Sequence, residues 1–379
     1  MGEADLTAHG VGDLAPVTPD FSAYIIAGAV SSDPAKFARE TEGRTPAQGI
    51  EDGVDAERLG FRRVLISERW DLKEADVILA GIGARTTRLE LVTGIIVPTT
   101  RHPWMIAALG ATMQACFGPR FVLGLGRGEV GAFKGMGIEV TRFPAMVDCA
   151  GIMRRLWAGE SVAYHGQLGS FDALQPHETY AGPQPPIWIA GFCHDRGAAV
   201  AAAAFDGVIL PPMLTPAATA DAVTRIRKAC EQIDRDPASI RVVQPVVTAP
   251  QMDDFEARSI SAGRLVTYLQ YPYYGDVLAA ANGWDPATVR RMREHPQLTS
   301  APRVGDLTFH RHQMVEGPGA VIPWEWVLDC SAIGTVDECV SSLQRFVDAG
   351  ADEVTTYGST PRQNAALIEA WRKRPEASR

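Results

Sequence analysis

Metal-ligand spacing, a disulfide framework, a basic stretch and a bilayer-length apolar run are all missing from this chain. Its six cysteines, Cys116, Cys149, Cys193, Cys230, Cys330 and Cys339, are scattered with no CxxC pair. That excludes a zinc ribbon and makes a reducing cytosol the expected setting. The 36 basic residues are outnumbered by 45 acidic ones, for a net charge of -9, and no basic run offsets that balance. A phosphate-backbone partner such as DNA or RNA is therefore not expected. The longest apolar run, Ala198 to Phe205, falls far short of a membrane span, and residues 1–20 carry no apolar core of a signal sequence. The expectation is a soluble, cytoplasmic protein with no membrane partner and a loose N-terminal extension over residues 1–20.

What is present is alternation. Short apolar, β-branched runs are followed by longer amphipathic segments almost from end to end, the pattern of parallel strands joined by helical crossovers. Eight strands are predicted: Ser22 to Ala29, Phe61 to Ser67, Leu89 to Val97, Arg120 to Gly126, Pro186 to Gly191, Asp206 to Leu210, Ile240 to Val247 and Glu353 to Tyr357. Helices are predicted over Pro46 to Leu59, Pro103 to Cys116, Phe143 to Trp157, Thr335 to Ala349 and Arg362 to Arg372, several closed by glycine. Eight strand–helix repeats point to an α/β fold, a TIM (β/α)8 barrel over residues 21–379, with an open doubly wound sheet as the alternative. Residues 250–329 break the rhythm and read as a helical insertion after the seventh strand, lying over the barrel mouth. Tyr268, Tyr271, Tyr273, Tyr274, Trp284, Trp324 and Trp326 crowd there. They fit a lid facing an apolar substrate, and equally the lid's own core or an oligomer interface.

In such a barrel the chemistry sits at the carboxyl ends of the strands. Those ends hold Ser67, Glu68, Arg69 and Trp70 after strand two, Gly94 through His102 after strand three, and Gly126 to Glu129 after strand four. Gly191, Phe192, Cys193 and His194 follow strand five, and Tyr357 and Gly358 follow strand eight. Gly126 to Gly131 matches GxGxxG, but Gly135 and Gly137 continue as loop and Asp148 falls inside a helix, so the dinucleotide fingerprint is incomplete. The better reading is a glycine turn that lets a flat ligand approach the backbone, with Glu129 placed to exchange a proton with it. Glu68 and Arg69, beside Trp70, fit the polar edge of a ligand. Cys193 and His194 lack a third ligand for a metal, and successive N–H groups where a helix opens near Asp195 make that segment an anion site instead.

Four motifs together resemble the luciferase-like monooxygenase superfamily, in its coenzyme F420-dependent oxidoreductase branch: ERLGFRRVLISERW, TGIIVPTTRHP, FVLGLGRGEV and PPIWIAGFCHDRGAAVAAAAFDGVI. The resemblance spans about Phe21 to Trp371. It implies a TIM barrel with the deazaflavin at the carboxyl end and a non-prolyl cis bond at Gly94–Ile95. Glu68, Ile95, Val97, Gly126 and Gly128 would border the ring, and Gly191, Phe192, Cys193 and His194 would wrap the ribityl phosphate. Glu129 would be the proton partner. Read from their places in the chain, Trp70 after strand two and Tyr271 and Trp324 in the insertion are the candidate substrate contacts.

Alcohol-oxidising relatives carry a histidine base where this chain has Arg69. A guanidinium cannot accept the hydroxyl proton, but it can steady charge on a carbonyl oxygen. The expected direction is thus reduction of a carbonyl or activated double bond in a small, apolar molecule. Family members are commonly homodimers. The rival readings are an FMN-dependent monooxygenase and a barrel that binds F420 or flavin without turnover.

Overall fold

Buried aliphatic and β-branched residues make the strands. The computed structural model describes residues 14–27, 44–69, 73–128, 133, 135–301 and 309–374. The strands are β1 (Phe21–Tyr24), β2 (Arg63–Ile66), β3 (Glu90–Thr93), β4 (Phe121–Leu125), β5 (Val162–Gly166), β6 (Gly169–Leu174), β7 (Ile187–Ala190), β8 (Gly207–Ile209), β9 (Arg241–Pro250), β10 (Ser331–Gly334) and β11 (Glu353–Tyr357). Parallel pairing runs from β11 through β1, β2, β3, β4, β7, β8 and β9 and returns to β11. That closed ring of eight is a TIM-barrel-like fold, and each strand expected from the sequence lies on it.

Two features depart from the expected pattern. The antiparallel hairpin β5–β6 lies outside the barrel; its mostly exposed strands carry too little apolar signal to read as sheet. β9 runs on to Pro250, where Val247 to Pro250 pair with β10, a strand the sequence reading did not include. The helices Asp254–Leu269, Pro272–Asn282, Pro286–Arg293, Pro296–Thr299, Arg311–Glu316 and Trp324–Asp329 fall between β9 and β10.

Helix punctuation follows local chemistry. Pro46–Leu59 opens on a capping box between Thr45 and Gln48 and closes at Gly60, whose φ of 84° suits glycine. Of the extension expected over residues 1–20, residues 1–13 lie outside the described residues, and residues 14–20 bond to the barrel. The Ala15 N–H donates to Arg58 O at 3.0 Å, and Pro19 O accepts from Arg62 at 3.0 Å and Arg241 at 2.8 Å.

The barrel interior is layered. Leu65, Val92, Val122, Trp188, Ile209 and Val243 form a buried layer, and Tyr24, Ile95 and Ala190 pack on it. The floor is charged and is built from first residues of strands. Arg63 bridges Glu90 at 2.8 Å and Glu353 at 3.0 Å, and Arg241 reaches Glu353 at 2.6 Å. Arg63 also lies 4.7 Å from the Trp188 ring centroid. Each of these charges has an ion-pair partner, which offsets the cost of burial, although Arg63 Nε is buried without a hydrogen bond. The opposite, carboxyl end remains for a ligand.

Candidate active site

At that end the chain leaves β3 through Gly94, and the Gly94–Ile95 peptide bond is cis. Every neighbouring strand holds this bulge. Gly94 N–H donates to Ile66 O at 2.7 Å, Glu68 N–H to Ile95 O at 3.3 Å and Ile96 N–H to Gly124 O at 3.0 Å. The Tyr24 hydroxyl donates to Gly94 O. On the β4 side a Cβ at Gly126 would lie 2.6 Å from Ile95 Cγ1, and one at Gly124 would overlap the carbonyl oxygen of Thr93. Gly128 takes a φ of 86° and lies against the Phe133 ring. Gly124 and Gly126 of the FVLGLGRGEV motif therefore serve close packing of β4 on the bulge. Val97 is buried just beyond. Glu129 and Trp70 lie outside the described residues.

Glu68 is buried, and its partner is Arg101, not Arg69. Arg101 also binds Glu74 and Asp76, so one cation serves three carboxylates. Burial pushes the Glu68 carboxyl up to about 7, Arg101 pulling the other way and Asp76 and Glu74 adding to the rise. Asp76 is raised to about 6, chiefly by burial. Glu68 Oε2 is buried without a hydrogen-bond partner, so the group can hold a proton near neutrality. Arg69 pairs backbone to backbone with Lys73, N–H to O at 3.1 Å.

After β7, Gly191 faces open space, with nothing within 4 Å of a would-be Cβ, and Cys193 adopts a φ of 52°. The helix Asp195–Ala204 follows, and its N-cap, His194, makes no side-chain cap bond. Its first N–H groups are thus not capped by that side chain, as an anion site requires. The Cys193 thiol is buried and raised to about 12 by that burial, so the segment offers backbone rather than a thiolate. Phe192 stacks on His194 at 6.1 Å and meets Tyr274 at 5.0 Å.

Tyr274 belongs to an aromatic group that closes the mouth. Tyr268 stacks on it at 5.5 Å, Tyr24 stands edge-on to Tyr357 at 5.0 Å, and the Tyr268 and Tyr357 hydroxyls are 2.6 Å apart. Arg264 donates to the Tyr357 hydroxyl at 3.0 Å. The Trp324 ring centroid lies 4.2 Å from the Arg258 guanidinium, a residue about 120° around the same helix from Arg264. Tyr271 sits at the start of Pro272–Asn282, with its carbonyl accepting from Arg293 at 3.1 Å. Among the residues that sequence reasoning missed, Tyr24 stands at the true end of β1, a position the over-long strand prediction hid. Arg264 and Arg101 had no local signal; only Arg101's place among the residues following β3 pointed to it.

The family described as luciferase-like monooxygenase matches residues 29–353. The F420-dependent glucose-6-phosphate dehydrogenase of Microbacterium testaceum is 35% identical over 159 residues, covering 38% of this chain and 46% of that protein, so the match spans less than half its length. The 5,10-methylenetetrahydromethanopterin reductase of Methanolobus tindarius is 24% identical over 301 residues, 79% of this chain and 86% of its own. Among solved structures, the coenzyme F420 dependent tetrahydromethanopterin reductase from Methanopyrus kandleri superposes with a TM-score of 0.72 at 19% identity, covering 93% of this chain and 97% of that one.

Proposed function

The chain belongs to the luciferase-like monooxygenase family, and on that premise we propose that it is an F420-dependent oxidoreductase. It transfers a hydride between the deazaflavin C5 and a small apolar substrate, in the direction that reduces a carbonyl or an activated double bond. The observation that carries this reading is the contact of Ile95 with Gly126. It makes a firm, apolar edge beside which a flat ring can lie, at the same mouth as the uncapped helix start at Asp195. The residues present fit the coenzyme at both ends, ring and phosphate.

Gly94, Ile95, Val97, Gly126 and Gly128 form the wall for the ring, and backbone N–H groups after Gly191 to His194 take the ribityl phosphate. Bound reduced coenzyme supplies the hydride. Glu129, next after Gly128 in the chain, serves as proton partner at the pyrimidine edge. Glu68, held by Arg101, keeps a protonatable carboxyl beside the bulge. Arg69 steadies charge at the mouth and accepts no proton. Names of similar proteins that include F420 support the cofactor over FMN.

Parallel equilibrium titrations of the full chain with oxidised F420 and with FMN test this. F420 is expected to bind at least about tenfold more tightly, a difference near 1.4 kcal/mol. Preferential FMN binding would favour the monooxygenase reading.

A further inference from the structure

Two phenols and one guanidinium form a polar pole in an otherwise aromatic rim. Tyr357 ends β11 and Tyr268 comes from the helix Asp254–Leu269. Their hydroxyls share a 2.6 Å hydrogen bond, and Arg264 Nη1 donates to Tyr357 Oη at 3.0 Å. The guanidinium carbon is 4.5 Å from the Tyr357 ring centroid, so packing as well as the hydrogen bond fixes it.

Hydrogen counting then gives a directional result. Two hydroxyls bring two hydrogens, and one is used between them whichever oxygen is the donor. Arg264 fills a lone pair on Tyr357, so the second hydrogen is left to donate to an acceptor outside the pair. Burial pushes the Tyr268 phenol well above its ordinary range, which keeps it a donor rather than a phenolate. Both rings are half-buried, so an acceptor in the mouth can reach them.

The surroundings limit what carries that acceptor. Tyr24 stands edge-on to Tyr357 at 5.0 Å, Tyr274 stacks on Tyr268 at 5.5 Å and Phe192 lies 5.0 Å from Tyr274. Flat, apolar skeletons suit such walls. Tyr24 also binds the Gly94 carbonyl, which joins the polar pole directly to the strand-three bulge.

We infer that the Tyr268–Tyr357 hydroxyl pair, backed by Arg264, receives the carbonyl oxygen of the substrate, and that the substrate class is flat, apolar carbonyl compounds. The inference rests on the oxidoreductase reading above for its substrate and deepens it. A donor at that oxygen favours hydride arrival at the adjacent carbon, because negative charge gathers on the oxygen as the hydride adds. Tyr268 and Tyr357 touch substrate, and Arg264 is a positioning residue.

The test is binding of acetophenone, cinnamaldehyde and cyclohexenone to the full chain, by ligand-observed NMR, with ethylbenzene as the acceptor-free comparison and with and without oxidised F420. Wild type is expected to bind the carbonyl probes at least about tenfold better than ethylbenzene. Tyr357→Phe and Tyr268→Phe should each remove about tenfold of that affinity and leave F420 binding unchanged. Each variant breaks the pair from a different element, so one suffices should the other not fold. Arg264→Met should lose as much, with partial recovery in Arg264→Lys, which keeps a cation and a donor. Tyr164→Phe, on the hairpin β5–β6 outside the barrel, should change nothing. Carbonyl affinity unaffected by both tyrosine changes, or no wild-type preference for carbonyl probes, overturns the inference. Tyrosine-dependent carbonyl binding in a protein that takes no F420 would instead sink the cofactor reading and leave the oxygen site standing.

Discussion

Ile95 and Gly126 are packed so tightly that a Cβ on the glycine would come within 2.6 Å of Ile95 Cγ1. Gly126→Ala must push the Ile95 side chain out of its place in the bulge. Overpacking of this kind costs roughly 1–3 kcal/mol, and the ring wall moves with it. Denaturant unfolding should show that loss, and F420 titration should show an affinity reduced by about tenfold or more.

Stability should fall with rising pH because of Glu68. Its folded value of about 7 lies above the ordinary 4.5, and Asp76 is raised likewise to about 6 from 3.8. The native state therefore holds protons that the unfolded chain has released, and stability declines as pH climbs through that window. Glu68→Gln removes the larger share. The melting temperature of the variant relative to wild type should rise between pH 5 and about pH 7.5. A constant difference would contradict the assignment.

The charged barrel floor gives a separate stability prediction. Glu353→Gln takes the 3.0 Å partner from Arg63, only 1% exposed, and leaves it Glu90 at 2.8 Å; with one of its two pairs kept, the loss should be smaller than the about 3–5 kcal/mol of a buried pair broken outright. The double change Arg63→Met with Glu353→Gln should recover part of that loss in urea melts.

Thiol labelling of the folded chain should be selective. Cys116 is exposed, whereas Cys193 and Cys330 are buried and raised to about 12. Only thiolates attack alkylating agents, so mass spectrometry after brief iodoacetamide treatment should find Cys116 modified well before Cys193 or Cys330.

The barrel could be read in the sequence because its elements carry local signals. Pro46–Leu59 and Phe143–Trp157 run as expected, each with a proline in its first turn. The predicted β1 runs past Tyr24 because Ile25 and Ala27 stay buried; Ile25 N–H still donates to Leu65 O at 2.9 Å, and the predicted end at Ala29 lies outside the described residues. The site was legible where glycines and strand ends coincide, as at Gly94 and Gly126. It was illegible where function depends on distant partners. Arg264 meets Tyr357 across 93 residues and Arg101 meets Glu68 across 33, and no spacing rule connects such pairs.

The measurement that tests the central claim most directly is anaerobic mixing of the full chain with reduced F420 and a carbonyl panel, following the return of oxidised coenzyme absorbance. The account predicts oxidation of the coenzyme matched mole for mole by reduced product, lost on Glu129→Gln while F420 still binds. No coenzyme oxidation with any acceptor, together with oxygen uptake when reduced FMN is supplied instead, would contradict it.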